Sequence, residues 1–211
     1  MSRRLPIYLV LDTSGSMGGE PITAVNTGLQ TMQSALRRNP QANESAYVSV
    51  ITFGKTVQEI IPLTEVQQFV PPVLQASGAT PFGEALRMVK ALAEKNVQKT
   101  VGEQKGDWKP MVFIMTDGSP TDDYNSGIAK FKEYKWGPVI ACAAGPGADD
   151  TILKQVTENV YKLDTLTDSD IGALFKWLSA SIGVVSASVE TGGDVGSNVL
   201  PPPPIEIKLV T

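Results

Sequence analysis

Four segments of the chain are apolar at nearly every position instead of at every second one. A strand with one exposed face alternates between apolar and polar residues, whereas a strand covered on both faces is apolar throughout. The pattern therefore predicts four central strands: Ile7–Leu11, Tyr47–Phe53, Met111–Met115 and Val139–Ala144.

Segments with helical periodicity lie between these strands. After Pro21, which suits the first turn of a helix, apolar residues recur every three or four positions at Ile22, Val25, Leu29, Met32 and Leu36. Similar spacing predicts helices over Phe82–Val97, Tyr124–Tyr134 and Ile171–Val185. Strands that alternate with helices indicate an α/β fold, with a doubly wound, mostly parallel sheet and helices on both faces.

The remaining strands are expected at the margins of this sheet. Lys55–Pro62 is predicted to be a short edge strand, antiparallel to Tyr47–Phe53, and Val160–Leu163 a last strand before the final helix. We assign residues 1–190 to one domain and 191–211 to a Gly- and Pro-rich tail in which Ile205–Val210 alternates like a strand. Two interpretations of the tail stay open: a linker and a strand docked on this domain's own sheet edge, or a docking peptide for another protein.

Composition narrows the classes of partner. A chain of 211 residues that is 42% hydrophobic can fill one core, and a net charge of −4 without any long basic run argues against nucleic acid. No uninterrupted apolar stretch approaches the ~18 residues of a membrane span. The single cysteine, Cys142, lies in an apolar run and is expected to be a buried, inert thiol. We therefore expect a soluble, cytoplasmic protein with no membrane partner.

The chain contains no histidine. A Ser-His-Asp or Cys-His catalytic site is therefore excluded, and so is a zinc site with imidazole ligands.

Oxygen-bearing side chains follow two of the predicted central strands. Asp12, Ser14 and Ser16 come directly after the first strand, and Asp117 follows Met111–Met115. A Gly-rich loop that opens a helix carries Thr80. Because ligands gather outside the carboxyl ends of parallel strands, we expect these two carboxylates and three hydroxyls to meet, with alternate residues of an extended first loop pointing the same way.

A set of ligands made only of oxygen selects a hard divalent cation. We predict Mg²⁺, with Mn²⁺ or Ca²⁺ as possible substitutes. Since three of the five ligands are neutral, the ion keeps the capacity to accept one more anionic oxygen.

The three-part pattern resembles the von Willebrand factor A domain: D-x-S-x-S after a first strand, a Thr in a Gly-rich loop before a helix, and T-D-G after a later strand. The resemblance covers residues 5 to 187 and implies a metal-ion-dependent adhesion site. In that family's arrangement Ser14, Ser16 and Thr80 bind the ion directly, and Asp12 and Asp117 hold it directly or through water. It also implies a non-enzymatic module that captures an Asp or Glu of a protein partner.

Within this family, the stretches DTSGSM and TDGSPTDD and the proline-rich end are most similar to bacterial tellurium-resistance proteins of TerY type. That narrower resemblance implies a scaffold in a stress-resistance or phospho-signalling complex, with a kinase or a phosphatase as partner.

Other interpretations of the same residues exist. Asp12, Ser14 and Ser16 are suited to capping a helix, and Asp117 with Gly118 to forming a turn. The main alternative function is a Mg-dependent phosphotransferase of the haloacid-dehalogenase kind with Asp12 as nucleophile. That pattern has a second aspartate where this chain has Ser14. A serine hydrolase is disfavoured because this chain offers no base to activate the serine. Asp122, Asp123 and Glu20 are expected to form a solvated rim of the site.

Overall fold

The computed structural model describes residues 3–190 and 200–210. Its strands are β1 (Leu5–Asp12), β2 (Ala46–Phe53), β3 (Val57–Glu65), β4 (Met111–Thr116), β5 (Val139–Ala144), β6 (Val160–Leu163) and β7 (Ile207–Leu209). Its α-helices are α1 (Glu20–Arg38), α2 (Pro40–Ser45), α3 (Phe82–Asn96), α4 (Tyr124–Lys132), α5 (Asp150–Lys154) and α6 (Asp168–Glu190).

The strands form one sheet in the order β3-β2-β1-β4-β5-β6-β7. The five inner strands are parallel, and β3 pairs antiparallel with β2. The predicted fold class is therefore confirmed, including its antiparallel edge. The structure adds a second antiparallel edge, because β7 pairs with β6.

The sheet separates two layers of apolar packing. Alternate residues of β1 point to opposite faces, so that Leu9 and Leu11 pack with α1, α2 and α6, whereas Tyr8 and Val10 pack with α3, α4 and α5. All eight residues of β1 are buried. Burial on both faces explains why this strand lacks the alternation of a half-exposed one.

The sequence pattern predicted that the edge strand ends at Pro62, but β3 continues to Glu65, so that Pro62 lies inside it. The pairing of β3 with β2 is irregular between Val48 and Val50, whose partners are Thr64 and Ile61. Pro62 falls between those two partners, and a proline without an N–H group is tolerated at a bulge of an edge strand.

The tail returns to the domain. Ile207 is buried opposite Leu163, and the indole Nε1 of Trp177 donates a 2.9 Å hydrogen bond to the carbonyl of Pro201. The Gly- and Asp-rich stretch 191–199 and the predicted boundary at residue 190 lie at or outside the limits of the described residues, so the domain division stays a prediction.

One helix of the described part, α6, is long and apolar enough over Asp168–Val189 to cross a membrane by length and composition. The sequence pattern did not lead us to expect this. However, 61% of its most apolar window is buried inside the domain, against α1 and the sheet, as in the core helix of a globular protein.

Candidate metal centre

The predicted site lies between β1 and β4, which are adjacent parallel strands. The chain leaves β1 toward α1 on one face of the sheet and leaves β4 toward α4 on the opposite face. This is a switch point of the fold, where the diverging connections leave a crevice at the carboxyl ends of the strands.

Asp12 ends β1 inside this crevice and is only 1% exposed. Its Oδ1 accepts a 2.7 Å hydrogen bond from the backbone N–H of Ser14. Its Oδ2 accepts a 2.6 Å bond from the hydroxyl of Thr116, the last residue of β4. The sequence analysis did not assign Thr116 a role, although its place in the T-D-G motif was a usable signal. Thr116 holds the Asp12 carboxylate in a fixed orientation.

A chain of hydrogen-bonded oxygens connects the two strand ends. The Oγ atoms of Ser14 and Ser16 are 3.0 Å apart, and the Ser16 hydroxyl donates a 2.8 Å bond to Oδ1 of Asp117. The expected extended conformation of this loop is wrong, because Gly15–Met17 forms a 3-10 helix. The tight turn, and not strand alternation, brings the two serines together.

Thr80 reaches the same crevice from the loop before α3 and is 6% exposed. Its Oγ1 lies 3.7 Å from the position that a Cβ on Gly118 would take, so it borders the loop that carries Asp117. Among the described residues, no hydrogen bond links the Thr80 hydroxyl to the other four predicted ligands. The structure therefore brings four of the five into one hydrogen-bonded group and leaves Thr80 beside it.

The segment after Asp117 anchors the Thr80 loop. The Thr121 hydroxyl accepts from the backbone N–H of Thr80 at 3.1 Å, and the Thr80 carbonyl accepts from the N–H of Thr121 at 3.0 Å. The Asp122 carboxylate accepts from the N–H groups of Gly83 and Glu84 at 2.9 and 2.8 Å.

Asp123 is exposed and Asp122 partly exposed, as expected for a solvated rim, but both also have structural roles that the sequence did not indicate. Asp122 binds the first turn of α3, and Asp123 accepts a 3.1 Å bond from the N–H of Ser126 in α4. The N–H groups in the first turn of a helix have no acceptor within the helix, and a nearby acidic side chain can accept their hydrogen bonds. Both residues fix loops that surround the crevice.

Helix capping does not account for the serines. Ser14 precedes the 3-10 helix but makes no side-chain capping bond, and α1 begins after Gly19, which has no side chain to offer. The hydroxyls of Ser14 and Ser16 instead face each other and Asp117. The bond from the Ser14 N–H to Asp12 does support the turn, so Asp12 has a local structural role as well.

Burial raises the pKa of Asp12 above its ordinary value, against the hydrogen bonds from Ser14 and Thr116, and the negative charge of Asp117 raises it further. Burial likewise raises the pKa of Asp117. In the described part of the chain, neither carboxylate forms an ion pair with a lysine or arginine. A buried carboxylate without a cationic partner is costly in free energy, and a metal ion is one of the ways to compensate it.

The chemistry and spacing of the oxygens fit a small divalent ion. Neighbouring ligands of an octahedral Mg²⁺ at ~2.0–2.1 Å from the metal are about 2.9 Å apart. The oxygens of Ser14, Ser16 and Asp117 already lie at 3.0 and 2.8 Å from one another. Over the described residues no group of three or more Cys, Asp and Glu side chains converges, so a cation site in this crevice depends on hydroxyl ligands.

The fold is that of a doubly wound α/β domain, and the family follows from comparison with known sequences. The sequence profile of the von Willebrand factor type A domain matches residues 7–175. The chain belongs to this family, whose members are generally non-enzymatic, metal-dependent adhesion and protein-interaction modules. Comparison with curated protein sequences gives no match.

Solved structures of low sequence identity share the fold. Proximal thread matrix protein 1 from the mussel byssus, with a zinc-occupied MIDAS motif, has a TM-score of 0.60 and 19% identity over 86% of this chain. The pilus adhesin SpaC from Lactobacillus rhamnosus GG has a TM-score of 0.68 and 16% identity over 87%. Manganese-loaded TRAP protein from Plasmodium vivax has a TM-score of 0.55 and 19% identity over 82%.

This chain covers a different share of the length of each matched chain. It spans 48% of the mussel protein, 31% of the pilus adhesin and 72% of the Plasmodium protein.

Proposed function

We propose that this protein is a non-enzymatic, metal-dependent protein-binding module. In this proposal Asp12, Ser14, Ser16, Thr80 and Asp117 hold one Mg²⁺ ion at the carboxyl ends of β1 and β4. The observation that carries it is the hydrogen-bonded group of Asp12, Ser14, Ser16 and Asp117, which contains two buried carboxylates. Within the described part of the chain, no basic side chain pairs with either of them.

The choice of ion follows from the ligands. Hydroxyl and carboxylate oxygens favour Mg²⁺, with Mn²⁺ or Ca²⁺ as substitutes, over an ion that prefers imidazole or thiolate. Zinc and manganese are the ions named for the mussel and Plasmodium structures. Both belong in the first titration of this protein, beside magnesium and calcium.

The partner's contribution follows from charge. Two carboxylates at most neutralise a divalent ion, and the hydroxyls add none, so the ion retains affinity for a further anionic oxygen. An Asp or Glu side chain of a partner protein supplies that oxygen in our proposal. The bound ion supplies electrostatic attraction in the crevice, while Asp12 and Thr116 keep the ligand loops oriented for it.

The biological setting is the narrower part of the proposal. The similarity of DTSGSM and TDGSPTDD to TerY-type proteins supports a cytoplasmic scaffold in a bacterial tellurite- or stress-resistance complex or a phospho-signalling complex. A kinase or phosphatase is then the expected partner, and no nucleic acid or membrane takes part.

The test is capture of binding proteins by the immobilised chain in Mg²⁺ and in a chelator, with Asp12→Ala as the matched negative. We expect a partner that is retained by the wild type only in Mg²⁺ and by Asp12→Ala in neither condition. Neutralising one acidic residue of that partner should then abolish retention. A partner retained equally in chelator would contradict the metal-dependent mechanism.

The phosphotransferase alternative predicts a different result. An enzyme that uses Asp12 as nucleophile releases phosphate from an aryl phosphate in Mg²⁺ and loses this activity as Asp12→Asn. We expect no release from the wild type. In the described residues no lysine contacts Asp12, so the chain offers no lysine beside this carboxylate to stabilise a transferred phosphoryl group.

A further inference from the structure

A polar groove lies directly beside the metal centre. It is lined by Thr13 and Thr52, by Thr56 just before β3 and Gln58 within it, and by the loop around Val73 and Gln75. The groove has a volume of about 230 Å³. This is below the ~300 Å³ of ordinary small-molecule pockets, so the groove is of a size for one or two side chains.

The groove and the metal centre share a backbone segment. The N–H of Ser77 donates a 2.7 Å hydrogen bond to the carbonyl of Thr13, and the N–H of Gly15 donates a 3.0 Å bond to the carbonyl of Gly78. Gly78 has a positive φ of 86°, and a Cβ there would lie 2.4 Å from Cα of Lys55. Lys55 at the groove is therefore separated from the ligand loop by only this one layer of backbone.

Charge identifies what the groove accepts. Among the described residues that line the groove, Lys55 is the one charged residue and none is acidic. Lys55 is exposed, and it has no ion-pair partner within the ranges 3–190 and 200–210. An exposed, unpaired cation beside uncharged hydroxyl and amide groups favours a carboxylate.

The wall of the groove is held in place before any partner binds. The side chain of Asn26 on α1 makes two hydrogen bonds to the backbone of Leu74, of 3.0 and 2.8 Å. The side chains of Gln33 and Arg37 both donate to the carbonyl of Phe69, earlier in the same loop. Binding into a preformed groove avoids the entropy cost of ordering the loop.

We propose that the partner segment carries two acidic side chains, one that completes the metal coordination and a second that lies in this groove against Lys55. The inference rests on the proposed function and deepens it, because it specifies an acidic peptide segment as the partner. Val73, which is 79% exposed at the rim, gives the segment an apolar contact between solvent and the groove.

Selection from a phage-displayed library of linear peptides tests this directly. The wild type, Lys55→Glu and the control Lys132→Glu are each used in Mg²⁺ and in chelator. Lys132 is an exposed residue at the end of α4, and its substitution makes the same change in net charge away from the crevice. Binding of Mg²⁺ itself is measured on all three proteins.

We expect wild type and Lys132→Glu to enrich peptides with two acidic positions at a fixed spacing, only in Mg²⁺. Lys55→Glu should keep Mg²⁺ binding and one acidic position, and should lose the second or replace it by Lys or Arg. For an individual two-acid peptide, affinity should fall at least about threefold with Lys55→Glu.

Enrichment of peptides with a single acidic position, unchanged by Lys55→Glu, would overturn the groove assignment and leave the proposed function intact. Enrichment that is the same in chelator would overturn the proposed function itself. A wild type that binds Mg²⁺ but enriches no acidic peptide would count against both.

Discussion

Thr80 is the predicted ligand whose role the structure distinguishes from the rest. Its hydroxyl lies beside the Asp117 loop but outside the hydrogen-bonded group of Asp12, Ser14, Ser16 and Asp117. It is neutral and comes from a different loop. In the proposed site, its removal would cost one coordination bond, which water can replace, while both carboxylates remain.

Thr80→Ala should keep the fold and most of the Mg²⁺ affinity but weaken the partner complex by about 1–3 kcal/mol, the usual range for a lost partner of a charged group. Calorimetric titration with Mg²⁺, followed by titration with the captured partner, separates these two effects. Thr27→Ala is the matched control, because this exposed hydroxyl only bonds to the Thr23 carbonyl. A complex that survives both Thr80→Ala and chelation would show that the partner docks elsewhere.

Cys142 was expected to be inert, and the structure confirms that it is buried. Burial raises the pKa of its thiol to about 12, so the unreactive thiol form predominates at pH 8. A thiol reagent at pH 8 should therefore label the native protein very slowly and the denaturant-unfolded protein at once. Fast labelling of the native state would contradict the packing of β5.

At the residue scale, composition and motif order were enough to select Asp12, Ser14, Ser16 and Asp117, which the structure brings together. The 3-10 turn that brings Ser16 beside Ser14 was not predictable, because the N–H of Gly15 in this turn binds the carbonyl of Gly78, which is remote in the sequence. The structural role of Asp122 was missed for the same reason. The N–H groups it binds belong to α3, far away in the sequence.

Among the elements, α1 and α6 pack closely against each other at Gly28. A Cβ on Gly28 of α1 would lie 2.3 Å from Cδ2 of Phe175 in α6, and Phe175 is fully buried. A glycine inside a helix usually costs free energy relative to alanine. Here an alanine is disfavoured, because the aromatic ring of Phe175 occupies the space that its methyl group would need.

Gly28→Ala should therefore lower the free energy of unfolding by about 1–2 kcal/mol, since overpacking costs ~1–3 kcal/mol and exceeds the gain in helix propensity. Gly172→Ala in α6 is the matched control, because nothing lies within 4 Å of its Cβ position. It should raise the free energy of unfolding by about 0.5–1 kcal/mol. Urea unfolding of both variants measures the difference, and a Gly28→Ala protein as stable as Gly172→Ala would refute this packing.

The elements that the sequence predicted best are those whose burial determines the pattern. β5 and β6 have the predicted bounds, Val139–Ala144 and Val160–Leu163. The short helices α2 and α5 were not predicted, because five or six residues are too few to show a helical stripe. Their caps, Asn39 and Asp149, are the local features that mark them.

At the scale of the whole molecule, strand order explains why the site lies where it does. β1 and β4 are neighbours although about a hundred residues separate them in the chain, and their connections leave on opposite faces. The alternation of strands and helices indicated a parallel sheet but did not give the strand order. The prediction that the loops after the first strand and after Met111–Met115 meet came from the general rule for such sheets.

The described part of the tail packs on its own domain, away from the candidate metal centre. β7 covers the edge of β6, and Trp177 binds the carbonyl of Pro201, so the described tail contacts its own domain. Two strands, β5 and β6, lie between the site at β1 and β4 and the edge strand β7. The structure thus separates the metal centre from the tail, and substitutions in one can be tested without disturbing the other.

Titration of Mg²⁺ into chelated protein shows whether this crevice holds a divalent ion. Wild type should show saturable binding and, at a hundredfold excess over Kd, about 2.7 kcal/mol of added stability by mass action. Asp164→Ala, a surface carboxylate paired with Lys208, should respond like wild type. Asp12→Ala should show neither heat of binding nor a rise in Tm. If wild type and Asp12→Ala respond alike to Mg²⁺, or if neither responds to any of the four ions, the metal centre described here is wrong.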